Sequence, residues 1–417
     1  MLSVAPGVRA AAGGAVLKSQ PVAVSAQASD VRMSTGIADV DAVMGGGIVA
    51  GSVNLIAGQP GIGKSTLLLQ LASLVSQNSR VLYVSGEESD HQVGMRAQRL
   101  GTDKSENLQL ATSNVADDVA ATIASKQYDF VVVDSIQTMS MQAVASAPGS
   151  VSQITNSAAA IVAAAKQSNT AVMIVGHVTK EGNIAGPKVL EHIVDVVLQL
   201  EGDAYGGFKV LRATKNRFGP TSEAAIMEMD EKGLRPVDNP SQALLAERQI
   251  SDGSVVLATL EGTRPILVEV QALVNKTSYG YPKRAASGID LNRLNLLVAM
   301  LERRTKLQLA DQDIYINIVG GLRLQDPAAD LAICMAIGSA AKGLQLKQNA
   351  AVFGEVGLSG EVRHVPFIEK RIHEAQKLGF DCAVGPALRG VASKTKAASF
   401  LHPVRDIRSA LNDFLEK

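Results

Sequence analysis

The run Gly58-Gln59-Pro60-Gly61-Ile62-Gly63-Lys64-Ser65 constrains this chain more than any other feature. It matches G-x-x-x-x-G-K-[ST] and lies between an apolar run, Val53 to Ala57, and a helix-compatible run, Thr66 to Val75. That strand, loop and helix order makes it a P-loop. The glycines let backbone N–H groups curl around phosphate oxygens, and the helix N-terminus that follows adds partial positive charge. Gly58 to Ser65, with Thr66 beyond, are therefore expected to bind ATP. Lys64 is expected to reach the β and γ phosphates and the Ser65 hydroxyl to ligate Mg²⁺.

At 417 residues the chain exceeds the roughly 250–300 residues at which one core stops growing, so two globular domains are expected. The formal net charge is zero and Trp is absent. A polyanionic partner must then be held by a local basic patch or by oligomer geometry, and base stacking cannot dominate the contact. Cys334 and Cys382 are the only cysteines, the first flanked by apolar residues and the second followed by them. That usage suits small buried hydrophobes in a reducing compartment, not a disulfide framework or a zinc site. No run of about 18 uncharged apolar residues occurs, so no membrane span or membrane partner is expected. Residues 1–32, rich in Ala, Val, Ser and Gly, read as a disordered leader. An organellar address there lacks a compact apolar region to support it.

From Ser34 onward, β-rich apolar runs alternate with longer helix-compatible runs, the rhythm of βαβ units on a parallel sheet. Expected strands are Val53–Ala57, Arg80–Ser85, Phe130–Asp134, Ala171–Gly176, Val194–Glu201 and Lys209–Thr214, the last two as an antiparallel hairpin. Pro236 to Ser241 read as the connector between domains. Beyond it, strands at Ser254–Leu260, Ile266–Leu273 and Ile314–Ile318 and helices at Leu291–Leu301 and Ala328–Ala341 give an α+β rhythm.

Phe130-Val131-Val132-Val133-Asp134-Ser135 is an apolar strand ending in a carboxylate, the form of a Walker B element in which Asp134 supports Mg²⁺. After the preceding strand, Ser85-Gly86-Glu87-Glu88 places two carboxylates where they can polarise an attacking water, Glu87 as the base and Glu88 as its alternate. His177, Thr179 and Lys180 follow the Ala171–Gly176 strand at the position of a γ-phosphate sensor. The turn Lys215-Asn216-Arg217-Phe218-Gly219 carries two cations able to reach a phosphate in a neighbouring subunit, or DNA.

Ser34-Thr35-Gly36-Ile37 with Gly45-Gly46-Gly47, the Gly58–Ser65 loop, Ser85-Gly86-Glu87-Glu88 and above all Lys215-Asn216-Arg217-Phe218-Gly219 resemble the signatures of the RadA (Sms) family of bacterial DNA-repair proteins. The resemblance implies a RecA-like P-loop ATPase core at residues 33–236 followed by an α+β domain similar to the proteolytic domain of Lon at 237–417. It further implies a hexameric ring that hydrolyses ATP on single-stranded DNA and promotes branch migration of recombination intermediates. Single-stranded and branched DNA, and a recombinase or replicative helicase, are the implied partners, in a bacterial-type cytoplasm.

Two departures from the family pattern qualify this. Where Lon has its Ser nucleophile the chain reads Asp326-Pro327-Ala328-Ala329-Asp330, and the Lon lysine position aligns with Glu369, Lys370 being one residue on. Alanine cannot attack a carbonyl, so protease activity is not expected. That domain is expected instead to supply an oligomerisation surface and DNA contacts, with Lys283, Arg284, Arg303, Arg304 and Arg323 as candidate phosphate ligands alongside Lys215 and Arg217. No Cys precedes residue 334, so the four-cysteine zinc module of the family, and with it zinc, is not expected. The main rival from the same fold is a KaiC-like regulatory or scaffold ring, which would more often carry two P-loops.

Overall fold

A computed structural model describes residues 32–177, 189–202, 207–278, 280–347, 349–388 and 396–416. Its first sheet has nine strands: β1 (Val53–Gly58), β2 (Val81–Ser85), β3 (Leu108–Thr112), β4 (Phe130–Asp134), β5 (Ala171–His177), β6 (Val196–Gly202), β7 (Phe208–Asn216), β8 (Ala224–Asp230) and β9 (Gly233–Pro236), in the order β9-β8-β7-β6-β1-β5-β4-β2-β3. From β6 to β3 every pairing is parallel, while β7, β8 and β9 extend the sheet antiparallel. Continuous apolar strands follow from burial on both faces. Ile56, Phe130, Val132 and Val175 point into one core, and Leu55, Val131, Val133 and Ile174 into the other.

Helices cover both faces. Among them are α1 (Ala38–Val43), α2 (Lys64–Val75), α3 (Asp90–Leu100), α4 (Ala116–Ala124), α5 (Val151–Ser168) and α6 (Val189–Ile193). Ile154, Ala158, Ile161 and Ala165 give α5 its buried stripe at helical spacing, packed on the Leu55 face. This is the helix-covered parallel sheet the apolar rhythm predicts, in the RecA-like form the resemblance implies.

The predicted strands all form, with shifted ends, and the hairpin of β6 and β7 is antiparallel. Three strands of this sheet escape the sequence reading. β3 is a half-exposed edge strand of sequence LQLAT, with too few apolar residues to stand out. β8 reads AAIMEMD, made largely of residues that favour helix, and is held extended by pairing on both sides. β9 has only four residues.

β9 ends at Pro236, and α7 (Pro240–Leu245) begins four residues later, capped by the Asn239 side chain. A second, mixed sheet follows: β10 (Ser254–Glu261), β11 (Arg264–Lys276), β12 (Arg284–Ser287), β13 (Gln312–Ile318), β14 (Ala350–Val352), β15 (Cys382–Gly385) and β16 (Leu401–Pro403), ordered β12-β13-β11-β10-β14-β15-β16. α8 (Leu291–Thr305), α9 (Ala329–Lys342) and α10 (Ile368–Lys377) pack around it. α9 is buried on every side from Ala329 to Ser339, which is why it consists of small and apolar residues. Apolar packing continues across the link between the sheets: Val210 and Ile226 of the first share a core with Leu244, Leu257 and Leu267 of the second. Cys334 and Cys382 are buried free thiols, their pKa values raised by burial.

Two of the motifs in the sequence prove to be packing partners. Arg32 donates to the Phe218 carbonyl at 2.9 Å and the Asn216 amide to the Val43 carbonyl at 3.4 Å. A methyl added at Gly219 would lie 2.7 Å from the Gly45 Cα, so both positions need glycine for close backbone approach.

Candidate functional site

The site forms at the carboxyl edge of the parallel strands, where β1 meets β5 on one side and β6 on the other. Gly63 opens α2 in the left-handed region at φ 112°, a conformation a residue with a Cβ would resist. That turn aims the first N–H groups of the 12-residue α2 out of the sheet. The Lys64 ammonium lies under the loop and donates to the Gly58 and Gln59 carbonyls at 2.9 and 3.0 Å. Burial lowers its pKa, and Asp134 and Glu87 oppose the shift through their negative charge. Strand register brings both carboxylates to the edge that carries the ammonium: Gly58 pairs with His177, which touches Glu87, and Ser135, next to Asp134, donates to Glu87.

Asp134 ends β4 and is buried. The Tyr83 hydroxyl donates to one of its oxygens at 2.6 Å, and the other has no hydrogen-bond partner among the described residues. Burial, and then the Asp134 charge, raise the Tyr83 pKa well above its ordinary value, so the phenol remains a donor. Ser65, partly exposed at the start of α2, supplies a hydroxyl oxygen. A carboxylate with one free oxygen and a hydroxyl beside a P-loop form an all-oxygen donor set of the kind Mg²⁺ takes, its remaining positions filled by water and phosphate. The residues fit that ion.

The adjacent carboxylates differ sharply. Glu87 accepts from Ser135 Oγ at 2.5 Å and lies 3.4 Å from His177 Nε2, at the end of the strand paired with the P-loop. Glu88 is bound at 2.5 Å by Arg96, which projects from α3. α3 is fixed by a capping box in which Ser89 and Gln92 each satisfy the other's backbone. Tyr83, Ser135 and Arg96 are site residues the sequence reading did not single out. Tyr83 and Ser135 stand inside runs already marked, whereas the Arg96 contact arises only when α3 folds back over the strand end. Thr179 and Lys180 lie outside the described residues.

Lys215 and Arg217 are elsewhere. β7 runs antiparallel to β6, so its end at Asn216 pairs with Val196, beside Asn54, while the P-loop begins at Gly58. Four strand steps of about 3.3 Å separate those levels, so the turn sits roughly 13 Å along the sheet from its own P-loop. The Lys215 ammonium donates to the Glu191 and Val194 carbonyls at 2.6 and 2.8 Å, closing the end of α6. Its pKa is lowered by burial and then by Arg217. Arg217 pairs at 3.2 Å with the buried Asp195, which also holds Lys166 at 2.5 Å and accepts from the Val53 N–H.

The cations of the second sheet are scattered. Arg284 donates to the Leu309 carbonyl at 2.8 Å and to that of Gln312, pinning the edge of the sheet, and burial lowers its pKa. Lys283 and Arg303 are exposed, and Arg304 donates to the Leu358 carbonyl at 3.3 Å. Arg323 lies apart from them, in a cleft that includes Gly58 and Gln59. At the position of the Lon nucleophile, Ala328 is fully buried. Asp326 beside it accepts from the fully buried Arg371 at 2.7 Å, and Asp330 is paired with Arg293. Glu369 is exposed, and Lys370 donates to the Thr263 carbonyl.

Comparison with known proteins agrees with this geometry. Residues 19–183 match a family model described as an AAA domain, and residues 295–388 match one described as subunit ChlI of Mg-chelatase. The chain is 48% identical over 374 residues to the DNA repair protein RadA of Bacillus subtilis, covering 89% of this chain and 81% of the relative. It is 45% identical over 384 residues to that of Escherichia coli, covering 92% and 83%. For Streptococcus pneumoniae the values are 49% over 350 residues, 84% and 83%. With a P-loop on a RecA-like sheet and this identity along most of its length, the chain belongs to the RadA family.

Proposed function

We propose that the chain is an ATP-dependent DNA-repair motor, which hydrolyses ATP on single-stranded DNA and drives branch migration of recombination intermediates. The observation that carries the reading is the convergence of Lys64, Ser65, Asp134 and Glu87 on one sheet edge, in a chain whose relatives are named DNA repair proteins. Lys64 and the loop N–H groups hold the triphosphate. Ser65 and Asp134 would hold Mg²⁺, which when bound offsets negative charge between the β and γ phosphates. Glu87, steadied by Ser135 and open toward solvent, takes the proton of the water that attacks the γ phosphorus. Glu88 is held by Arg96 and serves to position α3.

Distance along the sheet keeps Arg217 and Lys215 from their own nucleotide. In a ring of identical subunits they would complete a neighbour's site or couple nucleotide state to DNA. Lys215 must release the α6 carbonyls to do so, and Arg217 its ion pair with the buried Asp195, which keeps Lys166. The second sheet would supply the ring surface and phosphate contacts through Lys283, Arg303 and Arg304, whereas Arg284 is committed to the strand edge.

The test is a labelled branched DNA molecule incubated with ATP and Mg²⁺. The native chain moves the branch and Lys64→Ala does not. A native chain that hydrolyses ATP yet leaves branch position unchanged would overturn the motor reading in favour of a regulatory or scaffold ring.

A further inference from the structure

A cleft of about 610 Å³ separates the P-loop from the second sheet. One wall is Gly58, Gln59 and Ile62 with the end of β6, from Gln199 to Gly202, and the other is Gly288, Ile289, Leu322 and Arg323. Its size falls within the roughly 300–1,000 Å³ typical of small-molecule sites, and it joins apolar surface to a few convergent polar groups. Arg323 is exposed and has no hydrogen bond or ion pair among the described residues. The turn carrying it is nonetheless fixed: Leu324 N–H donates to the Gly288 carbonyl at 2.8 Å, and Gly320 packs against Leu244 and Phe208. A planar cation is thus held by the second sheet over a space that opens onto the P-loop.

Charge decides which part of a nucleotide suits this space. Glu201 lines the cleft, and its only cationic partner among the described residues, Arg212 at 3.6 Å, is held closer by Glu261 at 2.8 Å. A phosphate here would meet an incompletely neutralised carboxylate, whereas a neutral base and ribose would not. We propose that the cleft receives the nucleoside end of the triphosphate, with the Arg323 guanidinium stacked on the base, so that the second sheet contacts the nucleotide bound by its own subunit. Guanidinium planes stack on aromatic faces, and Ile62, Ile289 and Leu322 supply apolar contact around the ring. Arg323 is then a binding residue for the nucleotide and not for DNA. This rests on the P-loop holding the phosphates.

Calorimetric titration of the full chain with Mg·ATP and with inorganic tripolyphosphate separates the two claims. Arg323→Ala weakens ATP binding about tenfold and leaves tripolyphosphate binding unchanged, while Lys64→Ala weakens both. Arg323→Lys, which keeps the charge but loses the plane, stays weakened. Native affinity for ATP in Arg323→Ala, or in Arg323→Lys, would overturn the stacking contact and leave the P-loop reading intact. Equal loss of ATP and tripolyphosphate in Arg323→Ala would assign Arg323 to the phosphates and overturn it as well. If Lys64→Ala bound both like the native chain, the P-loop reading itself would fall, and this inference with it.

Discussion

The two sheets each bring charged side chains to one edge of a fold and use them in opposite ways. At the edge of the first sheet, among the described residues, Lys64 donates only to loop carbonyls and one Asp134 oxygen is free, while Glu87 faces solvent. Beside the second sheet a groove lined by Arg293, Asp326, Pro327 and Asp330 has Asp326 locked to the buried Arg371 and Asp330 to Arg293, around the buried methyl of Ala328. Exchangeable partners make a site that can take up a ligand and a proton, whereas mutually neutralised, desolvated pairs make a structural joint. Asp326 and Arg371 tie α10 to β10, and Asp330 ties α9 to Arg293 of α8, where a protease would need a free nucleophile and base.

The largest expected effect sharpens this contrast inside the first site. Glu87→Gln should lower turnover about 10²- to 10⁴-fold with little change in nucleotide affinity, as for loss of a general base. Glu88→Gln, which breaks only the link to Arg96, should cost less than about tenfold. Steady-state phosphate release checks both, and equal losses would erase the distinction drawn here between the two carboxylates.

In the second groove the readout is stability. Asp326→Ala leaves the Arg371 guanidinium buried without its carboxylate and should cost about 3–5 kcal/mol, measured by denaturant unfolding. A loss below about 1 kcal/mol would mean that Arg371 finds water, and that the groove is not locked.

Between the sheets, Glu261 is buried with its pKa raised to about 7, because burial, with repulsion from Glu201 and Asp326, outweighs attraction to Arg212. Its folded value lies above the unfolded one, so its contribution to stability is fully present below the ordinary carboxylate pKa and is lost as pH rises through about 7. Glu261→Gln, a mimic of the protonated form, should therefore gain stability over the native chain at pH 8 and lose that advantage by pH 5. A pH-independent difference in melting temperature would show that the carboxyl does not titrate there.

The smallest effect belongs to Ala328→Ser. A hydroxyl restored at this buried position should cost no more than about 1–3 kcal/mol of stability and create no casein cleavage, since Lys370 is turned to the Thr263 carbonyl.

Much of this was legible in the chain because local order carries it. A strand, a glycine loop and a helix in sequence define the P-loop, and Val131 to Asp134 announce a buried strand ending in a carboxylate. What the sequence could not show depends on register and on long-range packing. The antiparallel hairpin was expected, and only its register, Asn216 on Val196 and Val196 on Asn54, places Lys215 and Arg217 a strand length from their own P-loop. Only the fold of α3 takes Glu88 out of competition with Glu87, and only the seating of the second sheet brings Arg323 to the P-loop cleft. Arg284 read as a candidate phosphate ligand, and its commitment to the Leu309 and Gln312 carbonyls appears once β12 pairs with β13.

The most direct measurement is ATP hydrolysis with and without single-stranded DNA, for the native chain and Lys64→Ala, at one moderate salt concentration because phosphate contacts are salt-sensitive. The account predicts turnover that rises with DNA in the native chain and vanishes in Lys64→Ala. Turnover indifferent to DNA would contradict it.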